Sequence, residues 1–217
     1  MNQFLLRRAF TLLELMLALI IISMLMASLV FFSKAFMNTA TSFSKDIYAD
    51  LSVRSFIDQF SYDMSQAGFT PVGSILVPAL TAETGNAAIF ITNASDGNIN
   101  MIRISYDSYN HSGASNLNRR NYITYSVQLM DGRAAFTKGI YVDRSYRTST
   151  SGTPTAPLKV FNTKQLALGL VKAFTCIEKK ISGITKGLSC HLEVYTDLNI
   201  NSRVLTYDFE ANSEQFY

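Results

Sequence analysis

The sequence predicts an α+β chain: a long N-terminal helix whose first half is a transmembrane span, followed by an antiparallel β-sheet domain. Three observations predict it. From Phe10 to Ser33 the only charge is Glu14. From Lys34 to Ala67 there is no glycine or proline, and apolar residues recur at helical spacing. After Pro71 the texture changes to short apolar runs broken by Gly, Asn, Asp and Ser. The 217 residues are 48% hydrophobic with a net charge of +3, a composition neither disordered nor collagenous. Without the membrane stretch roughly 180 residues remain, enough for one domain with its own core. Tryptophan is absent, but 15 Phe and 11 Tyr supply bulk.

The first element is the apolar half of the helix. Leu15 to Ser33 is apolar apart from Ser23, Ser28 and Ser33. At about 1.5 Å per residue that run is ~28 Å long, close to the ~30 Å hydrocarbon core of a bilayer. Arg7 and Arg8 precede it, so the positive-inside rule puts the first nine residues in the cytoplasm and the bulk of the chain outside. The leader is too short, and the apolar run too long, for a conventional cleaved signal peptide. Glu14 is the anomaly, because a carboxylate near the start of a membrane helix is costly unless something pairs with it.

The run Ala9-Phe10-Thr11-Leu12-Leu13-Glu14, after a short basic leader and before an apolar helix, resembles the class III signal of type IV pilins and pseudopilins. The resemblance implies cleavage between Ala9 and Phe10 by a prepilin peptidase, N-methylation of Phe10, and Glu14 as fifth residue of the mature chain. Glycine is usual in the family where Ala9 stands; alanine is the next-smallest side chain, so processing is expected. In that family the glutamate is held to pair with the N-terminal ammonium of a neighbouring subunit. Such a pair would offset much of each ion's desolvation cost and fix axial register.

The second half of the helix carries two stripes. Phe43, Ile47 and Leu51 form one; Val53, Phe56, Ile57, Phe60, Met64 and Ala67 form another. Lys45, Asp46, Asp50, Arg54, Asp58 and Asp63 fall between them. Gly68 is placed to end the helix and Pro71 to prevent its resumption, giving a helix from Phe10 to about Ala67. Asp63-Met64-Ser65-Gln66-Ala67-Gly68-Phe69 is similar to the helix end of minor pilins of the PilW kind, and GspJ-like pseudopilins of type II secretion have a related one. Recognisable similarity covers the first third of the chain.

Strands are expected at 88–92 and 100–106, joined by Asn93 to Asn98, and at 122–130 and 134–142, joined by an Asp131-Gly132 turn. A polar loop is expected from Asp107 to Asn121 and another from Thr148 to Pro157. Leu166 to Ile177, Ser189 to Thr196 and Arg203 to Glu210 complete the sheet, the last two as a hairpin or meander at its edge.

Cys176 and Cys190 are an even pair in the part predicted to be exported, which favours a disulfide across a Ser182 to Gly187 loop. The alternative is two small buried thiols. His111 and His191 have no metal-site spacing around them, and no nucleophile elbow, P-loop or dinucleotide fingerprint occurs. No enzyme activity, cofactor or metal is therefore expected. Asp96-x-Asn98-x-Asn100 and Asp197-x-Asn199-x-Asn201 alternate oxygen ligands as Ca²⁺ loops do, but Met101 and Ser202 stand where the sharp-turn glycine belongs. Turn formation explains both. Arg103 to Lys186 holds thirteen basic and four acidic residues. A DNA contact through Arg119 and Arg120 would be its sharpest use. The scatter of the remaining cations over many strands and loops favours a mixed solvated surface.

The expected organisation is a prepilin leader at 1–9, a transmembrane and filament-core helix at 10–33, an amphipathic helix at 34–68 and a periplasmic β-rich domain at 69–217. The resemblance implies a minor pilin of a type IV pilus, in a priming or tip complex. A GspJ-like minor pseudopilin is the near alternative, and a DNA-binding or adhesive tip subunit the alternative from another class. Expected partners are other major and minor pilins through the N-terminal helix, the prepilin peptidase and the inner-membrane assembly platform. The expected location is the inner membrane, N-terminus cytoplasmic, and then the pilus.

Overall fold

A computed structural model describes residues 12–72, 75–78, 88–109, 118–130, 137–148, 159–181, 184–198 and 202–213. The chain falls into two compact units, divided between Ile47 and Tyr48. One helix, α1 (Leu12–Ser65), contributes to both.

In the first unit α1 is the whole of the described structure. Leucine, isoleucine, methionine and alanine dominate it, and nothing in its most apolar window is buried. The hydroxyls in this stretch do not break the apolar surface. Ser23 Oγ donates to the Ile20 carbonyl and Ser28 Oγ to that of Leu25, each at 2.8 Å. A serine that bonds its own helix leaves no unsatisfied donor for a lipid or a packed neighbour.

In the second unit α1 ends where the sequence says it should. Ala67 N–H donates to the Met64 carbonyl at 3.0 Å, and Gly68 takes φ 81°. That left-handed conformation is open to glycine and strained for most other residues. The chain then forms a two-stranded antiparallel ladder, β1 (Phe69–Val72) with β2 (Ile75–Pro78).

Among the described residues seven further strands follow: β3 (Ile89–Asn93), β4 (Ile99–Tyr109), β5 (Asn118–Leu129), β6 (Lys138–Thr148), β7 (Lys159–Ile181), β8 (Ile184–Tyr195) and β9 (Val204–Asn212). They pair in sequence order and all antiparallel, a meander with β3 and β9 at its edges. The α+β prediction holds: a long N-terminal helix precedes an antiparallel sheet.

The core lies between the helix and one sheet face. Val53, Phe56, Phe60 and Met64 are buried against Ile102, Ile104, Ile123, Tyr125, Phe174, Leu188 and Leu192. The alternation is regular along β8, where Leu188, Cys190, Leu192 and Val194 all turn inward. Phe60 is the hub. Its ring centroid lies 5.0 Å from that of Tyr125, 6.0 Å from Phe209 and 6.3 Å from Phe174, each edge-on. Of the two helix stripes, the one from Val53 to Met64 is therefore the core face. Phe43, Ile47 and Leu51 stay exposed.

Several strands are longer than their apolar runs. The polar loop expected from Asp107 to Asn121 is corrected: β4 runs to Tyr109 and β5 begins at Asn118, with Asp107 paired to Arg120 and Ser108 to Arg119. Inner strands have a ladder on both sides, and that pairing carries polar residues beyond the apolar core. The loop expected at Ser182 to Gly187 shrinks likewise, since β8 starts at Ile184 and Gly187 is in the strand. A Cβ on Gly187 would lie 3.0 Å from the Ala211 carbonyl oxygen of β9. Glycine there marks a close approach of two strands rather than a turn. β7 reaches its 23 residues through bulges, one of which sets Leu170 at φ 58°.

Candidate functional site

Glu14 stands in the first turn of α1 and is that turn's only acidic residue. It is exposed, as are Leu12, Leu13, Leu15, Met16 and Leu17 around it. From Leu12 to Phe43 the helix presents large apolar side chains on every side, with Phe31, Phe32 and Phe36 among the most exposed. A helix apolar all round is built for burial in lipid or among other helices, not for water. By length and composition it can cross a membrane. Ala9 and Phe10, the residues expected to flank the cleavage, lie outside the described residues.

Residues 6–30 match the family description "prokaryotic N-terminal methylation motif". The chain carries that methylation motif. It supports a protein like the type IV pilins and pseudopilins, a structural subunit that meets other pilins and a prepilin peptidase. The exposed apolar helix suits a membrane anchor of that kind. Comparison with curated proteins and with solved structures gives no match.

Other residues singled out by the sequence lie in the second unit. Cys176 and Cys190 are bonded and stand directly opposite each other on β7 and β8. Arg119 and Arg120 sit in β5, opposite Thr148 and Arg147 of β6. His111 lies outside the described residues. The first oxygen-rich stretch is a turn: Asn98 N–H donates to Asp96 Oδ1 at 3.0 Å, and Lys138 Nζ lies 3.3 Å from Asp96 Oδ2. Bonding with Asn98 holds the Asp96 carboxyl below its usual range. Asn98 Oδ1 meanwhile accepts the Phe174 N–H at 3.0 Å. Its oxygens are used for structure. In the second stretch Asp197 accepts the Leu198 N–H at 2.7 Å, while Asn199 and Asn201 lie outside the described residues. Among the described residues, no group of three or more His, Cys, Asp or Glu side chains could hold a metal ion.

Two polar groupings were not legible beforehand. On the outer face, His191 Nδ1 lies 2.7 Å from Asp208 Oδ1 across the β8–β9 ladder, and Nε2 lies 3.7 Å from Glu193. Lys172 of β7 reaches Glu193 at 2.8 Å. The Asp208 contact raises the His191 pKa above its ordinary value, and the Lys172 contact lowers that of Glu193.

The second grouping is inside. Asp63 is fully buried on α1. Arg144 Nη2 of β6 donates to its Oδ1 at 3.1 Å and its Oδ2 at 2.9 Å; Tyr125 of β5 donates its hydroxyl to Oδ2 at 2.6 Å. Gln59, one turn earlier, donates to Oδ1 at 3.0 Å. Burial pushes the Tyr125 phenol well above its ordinary pKa, and the Asp63 charge pushes it further. The signal in the sequence was position. Asp63 sits on the helix between Phe60 and Met64, next to the inward face, where a carboxylate requires partners.

Proposed function

We propose that this chain is a minor pilin, a structural and assembly subunit of a bacterial type IV pilus that acts in a priming or tip complex. One observation carries the reading: a methylation motif at residues 6–30 leads into a helix whose apolar surface is exposed on every side, with Glu14 as the one acid in its first turn. The subunit waits in the inner membrane as a prepilin, with its N-terminus cytoplasmic and its sheet domain periplasmic. Peptidase cleavage between Ala9 and Phe10 and methylation of Phe10 release it for assembly. Glu14 then pairs with the terminal ammonium of a neighbouring subunit and sets the axial register.

The segment ending in Ala67-Gly68-Phe69 fits a GspJ-like pseudopilin as well, and the genes flanking this one would separate the two systems. The experiment for the assembly role is Glu14→Ala, followed by mass analysis of the N-terminus and recovery of the subunit in sheared filaments. Processing should continue while incorporation falls at least about tenfold, the effect of losing ~1.4 kcal/mol of pairing. Normal incorporation would remove Glu14 from the register role.

A further inference from the structure

Strand β7 is paired on both sides for only part of its length. Its ladder with β6 ends at Val171, opposite Lys138, while its ladder with β8 continues to Ile181. Past Val171 the side of β7 turned away from β8 is therefore an open edge. Backbone groups of an antiparallel strand point alternately to one side and the other. Phe174 N–H points to the open side, where the side-chain oxygen of Asn98 accepts it at 3.0 Å. The register with β8 is regular from Ala173 to Lys179, so Cys176 and Glu178 turn their N–H and C=O groups the same way. The Cys176–Cys190 pair agrees, because a Cα separation of 4.1 Å belongs to a cross-strand pair that exchanges no backbone hydrogen bonds. Among the described residues no backbone group bonds Cys176 or Glu178 on the open side.

The two outermost strands are blunted against pairing: β3 has five residues, and β9 exposes Thr206, Asp208 and Glu210. The open stretch of β7 instead exposes Ile177 by 75% and Ile181 by 57%. Its lysines are already engaged, Lys179 by Glu210 and Lys180 by Glu178, so a second strand would meet no unpaired charge there. Asn98 shows the chemistry that the open side accepts, since its amide oxygen stands where the carbonyl of a neighbouring strand would. We propose that residues 174–181 of β7 form a docking edge that takes an extended segment of another polypeptide as an added strand. Main-chain bonds at Cys176 and Glu178 hold the segment, and an apolar side chain beside Ile177 selects it. A second copy of this chain fits less well. Tyr207 donates to Asp50 and Ser213 Oγ to the Ala67 carbonyl, so helix segment 48–65 runs in the direction of β9 and β7. Two copies joined antiparallel by this edge would carry that segment in opposite directions, whereas chains anchored from one side of a bilayer run parallel. The choice against a second copy rests on the anchor reading; the docking edge does not.

Residue-resolved amide hydrogen exchange on the full-length chain in detergent tests this. In the free protein the Cys176 and Glu178 amides should exchange at least roughly tenfold faster than those of Thr175 and Ile177, which point to β8. Equal protection would mean that this chain already covers the edge, and overturns the proposal. The probe is the synthetic peptide Ac-Glu-Thr-Val-Thr-Val-Thr-Glu-NH2, with a counterpart N-methylated at alternate residues so that it cannot pair. At a probe concentration of about 1 mM, exchange at Cys176 and Glu178 should slow about threefold, as for a Kd near ~0.5 mM, and the counterpart should leave it unchanged. No slowing by the first peptide overturns the proposal, and equal slowing by both reduces the site to apolar adhesion at Ile177. Exchange that slows as the protein itself is concentrated, without peptide, makes the occupant a second copy and overturns the choice of a different chain. Failure of the anchor reading would show separately, as a chain that stays soluble without detergent or lipid.

Discussion

Phe60→Ala and Phe43→Ala make the same chemical change on the same helix, and the structure assigns them opposite outcomes. Phe60 is fully buried, whereas 67% of Phe43 is exposed. Truncating a buried phenylalanine costs about 3–5 kcal/mol, depending on how far the site can collapse. Here collapse is resisted from four sides, because Phe56, Tyr125, Phe174 and Phe209 all present rings to Phe60 at 5.0 to 6.3 Å. Each such contact adds about 0.5–1.5 kcal/mol beyond buried area, which places Phe60→Ala near ~4–5 kcal/mol. For a unit of this size each kcal/mol moves the midpoint by about 2–4 °C, so a fall of roughly 8–20 °C is expected. Phe43→Ala should stay within about 0.5 kcal/mol of the parent. Thermal unfolding of the full chain in detergent, followed by the β-sheet circular dichroism signal, reads both. Equal losses, or a Phe60 loss under about 1.5 kcal/mol, would refute the assignment of the core face.

Three further perturbations follow from the sheet. His191 is held by Asp208, and its pKa is raised in the folded chain. Its contribution is therefore complete below the unfolded value of about 6.5 and is lost as pH rises through the folded value. The group is solvent-screened, so the parent should lose under about 1 kcal/mol between roughly pH 6 and pH 9 that His191→Gln does not lose, as measured by urea titration at both pH values. Gly187→Ala should cost about 1–3 kcal/mol in the same titration, since the new methyl meets the Asn212 side chain first and also the Ala211 carbonyl oxygen of the paired strand, 3.0 Å away. Replacing Cys176 and Cys190 together by serine opens a loop of sequence separation 14. That should lower guanidinium stability by about 3 kcal/mol, and a loss under about 1 kcal/mol would contradict the estimate.

Much of this was legible because single residues carried decisive local information. Glycine at 68 after an uninterrupted helical pattern marked the helix end, and the structure puts it at φ 81°. Asn93 to Asn98 marked a turn, closed by Gly97 at φ 80°. The edge hairpin of β8 and β9 followed from alternation alone. Strand ends were legible only where apolar runs ended with the ladder. Arg119, Arg120 and the residues after Lys159 are in strands because neighbouring strands pair with them, a long-range effect that composition does not report. The helix stripe from Val53 to Ala67 was legible as the core face of an amphipathic helix, and Val53, Phe56, Phe60, Met64 and Ala67 are buried. Asp63 was harder to read. Its place beside the inward stripe was visible, but Arg144 lies 81 residues away and Tyr125 lies 62 away. Only the folded sheet brings them together.

The central claim concerns the N-terminus, and intact-mass and N-terminal peptide analysis of the protein recovered from assembled material tests it most directly. A chain beginning with N-methylated Phe10 is the predicted result. A chain that still begins at Met1 in assembled filaments would contradict it.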